Sequence, residues 1–233
     1  MADTIVITGA GKGLGLFLSE QYLDRGDIVF ALNRSSLAGE TNLIKKFPER
    51  FHPIRCDVTR ENQIKKAAIK VSKMTSSVDI LINNAAIHQE KPFTAGNEFN
   101  AEIVKDTFEI NAVGPLLVTK YFHGFVIKGN KRIFVNISSE AGSIATCWRD
   151  REYGYCMSKA ALNMQSAILH NKLKPYKVTV LVIHPGWMRT DMGGKDADVD
   201  PKETARTLIH TIENNGLRDA PEYIDYTGKP MQW

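Results

Sequence analysis

Tyr155 and Lys159 stand four residues apart in the stretch YCMSK, a spacing that puts a phenol and an ammonium on one face of a helix. A free tyrosine ionises near pH 10. To serve as a base near neutrality it must be shifted down, and a neighbouring ammonium favours the phenolate. The pair therefore reads as a tuned proton donor and acceptor. Upstream, NISSEAGS spans Asn136 to Ser143 and closes an apolar run with two adjacent hydroxyls, Ser138 and Ser139. Near the start of the chain, TGAGKGLG places Gly9, Gly13 and Gly15 around Lys12 and Leu14. Glycines there allow a tight turn and let backbone N–H groups approach a pyrophosphate at a helix N-terminus. No GKS or GKT follows, which disfavours a magnesium-holding nucleotide loop.

These groups need a scaffold, and the chain supplies one. Short β-branched runs (TIVIT, DIVFAL, FHPIRC, VDILIN, RIFVNIS, VTVLVIH) alternate with stretches of helical period. The helices are expected at 13–25, around Leu43, and at 61–74, 103–126, 153–173 and 201–214. Strands that are almost continuously apolar are buried on both faces. The expected fold is thus α/β, a single-domain Rossmann fold over residues 1–233 with a doubly wound, mostly parallel sheet of about seven strands. The 233 residues suffice for one such domain and leave no room for a second.

In that fold the end of the second strand selects the dinucleotide. An NAD site usually carries an acidic residue there, whereas this chain has Asn33, Arg34, Ser35 and Ser36. Arg34 can pair with a 2′-phosphate or stack on adenine, and Lys12 can add a second cation. The reading is NADP(H) rather than NAD(H).

Composition excludes other classes. Thirty basic against 26 acidic residues give a net charge of +4 without a basic run, which argues against a nucleic-acid partner. Cys56, Cys147 and Cys156 form no CxxC pair, so neither a disulfide framework nor a metal site is expected. The chain shows no leader-like start and no apolar run expected to span a bilayer. The expectation is a cytoplasmic protein with no membrane association.

The ordered set TGAGKGLG, NNAA (Asn83 to Ala86), NIS with Ser139, and YCMSK resembles the short-chain dehydrogenase/reductase family across nearly the whole length. The resemblance implies metal-free hydride transfer between nicotinamide and a carbonyl or alcohol carbon. Tyr155 would be the general acid or base, Lys159 would tune it and hold the nicotinamide ribose, and Ser139 would orient the substrate oxygen. Asn111, in FEINAVGP, would hold a water on a relay to the lysine. Cofactor contacts carried over by motif are Asp57 and Val58 in CDVT, Asn83, Asn84, Ala85 and Ala86, and Pro185, Gly186, Trp187, Met188 and Thr190 in HPGWMRTDM. Ile137 would line the nicotinamide.

Two departures stand out: Ala86 replaces the last glycine of NNAG, and fifteen residues separate Ser139 from Tyr155, a few more than is usual in the family. The extra length, TCWRDRE, is expected to bulge over the site. His88, Trp148, Trp187 and Met192, with Ser139, are expected to line an apolar, adaptable pocket for an aldehyde, ketone or diketone. HPGWMRTDMGG and YIDYTGKPMQW are similar to a narrower branch, the C-factor-like and Sniffer-like carbonyl reductases. The alternative is an NAD(P)-binding signalling or sensor protein with little turnover. The family's habit implies a homodimer or homotetramer through AVGPLLVTKYF and ALNMQSAIL.

Overall fold

The structure is a computed structural model that describes residues 2–35, 38–89, 100–217 and 219–233. Ser36, which shares the expected cofactor turn with Arg34, lies outside the described residues. Seven strands form one sheet: β1 (Thr4–Thr8), β2 (Ile28–Asn33), β3 (Phe51–Arg55), β4 (Ile80–Asn83), β5 (Ile133–Ile137), β6 (Thr179–His184) and β7 (Glu222–Asp225). Their order is β3-β2-β1-β4-β5-β6-β7, with every neighbour parallel. The order reverses at β1 and β4, the switch point at which such sheets bind ligands beyond their carboxyl ends.

Seven helices cover the faces: α1 (Gly13–Asp24), α2 (Ala38–Lys46), α3 (Glu61–Ser72), α4 (Ala101–Phe108), α5 (Gly114–Ile127), α6 (Tyr153–Leu173) and α7 (Pro201–Asn214). The two-residue alternation of β1 divides the core. Ile5 and Ile7 join side chains of α1, α2 and α7, while Val6 joins those of α3 and α5. All three are fully buried. Strand β7 was not among the runs read from the sequence, because its EYID stretch is half charged and only Tyr223 and Ile224 are buried.

The expected helix at 103–126 is interrupted: a π-helical turn at Glu109–Val113 joins α4 to α5. Such widened turns are frequent at functional sites, and this one carries Asn111. The continuous helical run 101–127 is long and apolar enough to cross a membrane by length and composition, which corrects the expectation that no such run exists. Its apolar residues Val118, Phe122 and Val126 pack on the sheet.

A buried polar chain fixes α6 to the sheet. Asn83 Nδ2 donates to Asn136 Oδ1 at 2.8 Å, Asn136 Nδ2 donates to Ser166 Oγ at 2.7 Å, and Ser166 donates to the Leu162 carbonyl at 2.6 Å. A second link joins Ser138 Oγ to Asn163 Oδ1 at 2.6 Å, and Asn163 Nδ2 to the Gly142 carbonyl at 3.1 Å. Removing one member strands its partners away from water. Asn136→Ala is expected to cost about 3 kcal/mol of unfolding free energy in urea titrations; Asn136→Asp, which keeps the acceptor, should cost less than the alanine at mildly acidic pH.

Candidate functional site

Strand β5 ends at Ile137, and the next two residues diverge. Ser138 is 2 % exposed and turned to Asn163, whereas Ser139 opens the short 3₁₀ turn at Glu140–Gly142 and hydrogen-bonds the Tyr155 hydroxyl. The two serines thus have different surroundings. The two tyrosines differ as well, since Tyr153 is exposed at the helix start. Tyr223 Oη anchors the turn by donating to the Ser139 carbonyl at 2.5 Å.

Lys159 is buried one turn after Tyr155, with Nζ 5.7 Å from the centre of the phenol ring and donating to the Ile137 carbonyl at 2.8 Å. Burial lowers its pKa to about 8. The phenol moves the other way: burial pushes Tyr155 up to about 12, and the Glu140 carboxylate adds to the rise. This corrects the expectation of a lowered tyrosine. The lysine's hydrogen bond to Ile137 turns the ammonium toward the strand end, and desolvation of the phenolate outweighs an attraction acting at that range.

Asn111 is fully buried, and its side-chain amide is taken up by hydrogen bonds to Ile87 and Ser158. Its Oδ1 accepts the Ile87 N–H at 2.8 Å, and its Nδ2 donates to the Ile87 carbonyl at 2.9 Å and to Ser158 Oγ at 3.1 Å. The amide clamps the segment after β4 against α6, and with it His88, whose ring stacks on Tyr155 at 4.3 Å between centroids.

The glycine turn lies between β1 and α1. A Cβ on Gly9 would sit 2.8 Å from Ala85 Cα, and one on Gly15 would sit 2.4 Å from the Gly9 carbonyl; both are shorter than any tolerable contact, so the turn must stay bare. Asn84 stitches it shut by donating to the Thr8 and Gly9 carbonyls at 3.0 and 3.1 Å, and Thr8 Oγ1 accepts the N–H of Asn84 and of Ala85. Ala86 follows, half-buried. Asn83, expected on the cofactor wall, is instead 2 % exposed and committed to Asn136, because strand alternation turns it into the core. Leu14 packs into the core from the first turn of α1.

Opposite the glycine turn, Pro185 and Gly186 lead from β6 into a loop where Thr190 Oγ1 accepts the Gly193 N–H at 3.2 Å and Trp187 Nε1 donates to the Gly193 carbonyl at 2.8 Å. Met188 pairs with Val199 across the loop base, and the Thr190 methyl faces Gly13. Lys12 Nζ reaches Asp191 at 2.8 Å with both side chains exposed. An exposed pair of this kind contributes little, so the lysine can exchange this partner for a stronger anion. At the end of β2, Arg34 is exposed and Asn33 Oδ1 is a buried acceptor with no partner among the described residues. Asp57 holds its own turn through Thr59, and Val58 packs beneath Gly114. A cradle closed to any side chain, a helix N-terminus, an open buried acceptor and two cations at its rim fit a phosphorylated dinucleotide.

The rim over Ser139 and Tyr155 differs from the apolar pocket expected. Trp148 is 73 % exposed, and Trp187 and Met192 also stand in solvent. The groups next to the hydroxyls are charged: Arg149 bridges Glu140 and Glu152, and Glu152 lies 3.4 Å from His88 Nε2. A cavity of about 140 Å³ remains between Glu140, Thr146, Trp148 and Arg149. TCWRDRE does lie over the site, as its length implied, but what it delivers is an arginine. Sequence reasoning missed Glu140, Arg149, Glu152 and Tyr223. The charges in SSEAG and WRDRE were the available signal, and nothing in the sequence alone says which of them meet. Among the described residues no group of three or more metal-ligating side chains occurs.

Comparison with known proteins agrees with this geometry. A model of the short chain dehydrogenase family matches residues 3–200. The C-signal protein of Myxococcus xanthus is 33% identical over 166 residues, covering 71% of this chain and 99% of its own. Among solved structures, the carbonyl reductase Sniffer of D. melanogaster superposes with a TM-score of 0.92 at 26% identity over 100% of both chains. The NADPH-bound carbonyl reductase from chicken fatty liver gives 0.90 at 28% identity, over 100% of this chain and 99% of that one. With the family model matching most of its length, the chain belongs to the short chain dehydrogenase family of oxidoreductases.

Proposed function

We propose that the protein is an NADPH-dependent carbonyl reductase that converts an aldehyde, ketone or diketone to the alcohol. The observation that carries this reading is the hydrogen-bonded Ser139–Tyr155 pair, with buried Lys159 beside it, at the end of β5 next to the glycine cradle. NADPH, when bound, supplies the hydride. Every other task falls to the chain: Ser139 and Tyr155 meet the substrate oxygen, and Tyr155 gives up its phenolic proton as negative charge develops there. A phenol held near 12 is protonated throughout the neutral range, which suits proton donation in reduction rather than proton removal in oxidation. Lys159 holds positive charge beside the ring and would hold the nicotinamide ribose of a bound cofactor.

The solved carbonyl reductases, one of them NADPH-bound, support the cofactor, as do Lys12 and Arg34 and the absence of an acid at Asn33 and Arg34. Asp57, Val58, Asn84, Ala85, Ala86 and the 185–190 segment are assigned to the cofactor on the motifs they share with the family, and the contacts of Asn84 and Ala85 with the glycine turn support that for those two. The unpaired thiols of Cys56, Cys147 and Cys156 support a reducing compartment such as the cytoplasm. Exposed Val113 just before α5 and Leu116 on it, with Met157, Met164 and Ile168 on α6, support a homodimer or homotetramer through these helices. Likeness to the C-signal protein favours one second reading, a dinucleotide-binding signalling protein with little turnover.

Purified protein is expected to consume NADPH, followed by its absorbance, with hydrophobic aldehydes, ketones or diketones. Tyr155→Phe should lower turnover by at least about 100-fold while leaving NADPH affinity within a few-fold; cofactor binding without turnover across the panel would favour the signalling reading. Reduction should fall as pH rises through about 8, because Lys159, lowered by burial, carries its charge only below that value. Arg34→Ala is expected to weaken NADPH about tenfold or more and NADH little, by fluorescence titration. Ile168→Glu should shift the oligomer toward monomer in light scattering.

A further inference from the structure

A serine hydroxyl has one hydrogen to give and two lone pairs. Ser139 Oγ lies 2.5 Å from Glu140 Oε2. A carboxylate has no hydrogen to offer, so the serine donates, in a charge-assisted bond. Glu140 is ionised, since bonds from Ser139 and Arg149 overcome its burial and hold its carboxyl below the usual glutamate range.

Its position is determined on every side. Oε2 also accepts the Ala141 N–H at 2.6 Å, Arg149 grips Oε1, and the Glu140 N–H donates to His184 Nδ1 at 3.2 Å. The second arm of Arg149 holds Glu152, which caps α6 in the left-handed region at φ 64°. A non-glycine residue there is strained by about 1 kcal/mol or more, and the arginine contact offsets that strain.

We propose that Glu140, held by Arg149, is a positioning residue that takes the Ser139 hydrogen and so makes the serine an acceptor toward Tyr155. The inference rests on the reading of Ser139 and Tyr155 as the groups that meet the substrate oxygen. A serine that donates to the phenol draws its ionisation down; with its hydrogen committed to Glu140, Ser139 offers Tyr155 only lone pairs, and a hydrogen bond made by the neutral form of a group favours that form instead. The site therefore rests with the phenol protonated and ready to act as an acid. A neutral carbonyl gains the serine's hydrogen only by displacing it from the carboxylate, a bond about twice as strong as a neutral one. Glu140 thus trades substrate affinity for a protonated tyrosine.

The ionisable groups around the phenol are Glu140 and Arg149 from the β5–α6 connection, Cys156 and Lys159 on α6, His88 after β4, and Tyr223 on β7. Glu140→Gln changes one of these and preserves size. The Tyr155 ionisation is read as the tyrosinate difference band against the matching Tyr155→Phe protein, in the wild-type and Ser139→Ala backgrounds. The expected result is a fall of about one pH unit in the wild-type background, clearly smaller in Ser139→Ala, where only the lost charge acts. The KM for a carbonyl substrate should also fall about threefold or more, with kcat changing less. No fall, or an equal fall in both backgrounds, overturns the proposal. Should the unaltered enzyme reduce no carbonyl, the reductase reading fails, while the tyrosinate comparison still decides the role of Glu140.

Discussion

The docking of α6 on the end of β5 is the constraint on which the site depends. Tyr155 and Lys159 belong to the helix, and Ser139 belongs to the turn after the strand. Hydrophobic packing holds such elements together but is indifferent to sliding by a fraction of an ångström. The Asn83–Asn136–Ser166 chain and the Ser138–Asn163 link are not, because a displaced donor would be left unpaired in a dry interior. Directional bonds in the core therefore set the spacing between hydroxyl and phenol. The adjacent serines divide the labour: Ser138 locks the helix, and Ser139 faces the site.

A second constraint acts from the opposite side of the switch point. The glycine turn has no room for a side chain at Gly9 or Gly15, and Asn84 holds its carbonyls. That leaves backbone N–H groups and a helix N-terminus at the crevice, while Lys12 and Arg34 supply charge at the rim. Asn111 connects this half to the other. Its π-helical turn lets the amide reach the Ile87 backbone, which sets His88 against Tyr155. In this structure its amide ties the segment after β4 to α6.

The electrostatics follow from burial. Lys159 and Tyr155 both lose solvent, and desolvation moves them in opposite directions, the amine down and the phenol up, each toward its neutral form. The Glu140 carboxylate is held ionised by Ser139 and Arg149, and Arg149 also pairs with Glu152, so the charge near the hydroxyl pair is carried by the connection between β5 and α6. A longer connection made that possible, since it brings the arginine back over the turn that holds Ser139.

Much of this was legible in the chain itself. Six strands and the bounds of α6 and α7 followed from apolar runs and helical period, because strands buried on both faces and helices with one apolar face leave a local trace. The glycine turn and the four-residue spacing of Tyr155 and Lys159 also leave a local trace, whereas Ser139 was distinguished from Ser138 in the sequence only by the family resemblance. What required the tertiary structure was every contact made across it. Asn83 turning into the core, Lys12 pairing with Asp191, Asn111 clamping Ile87, and Arg149 gathering two glutamates against Ser139 are meetings of residues distant in sequence or joined by an irregular loop. The rise in the tyrosine's pKa belongs with them. Spacing along a helix brings a lysine near a phenol, but only the packed interior decides how much water each has lost and which partner each has found.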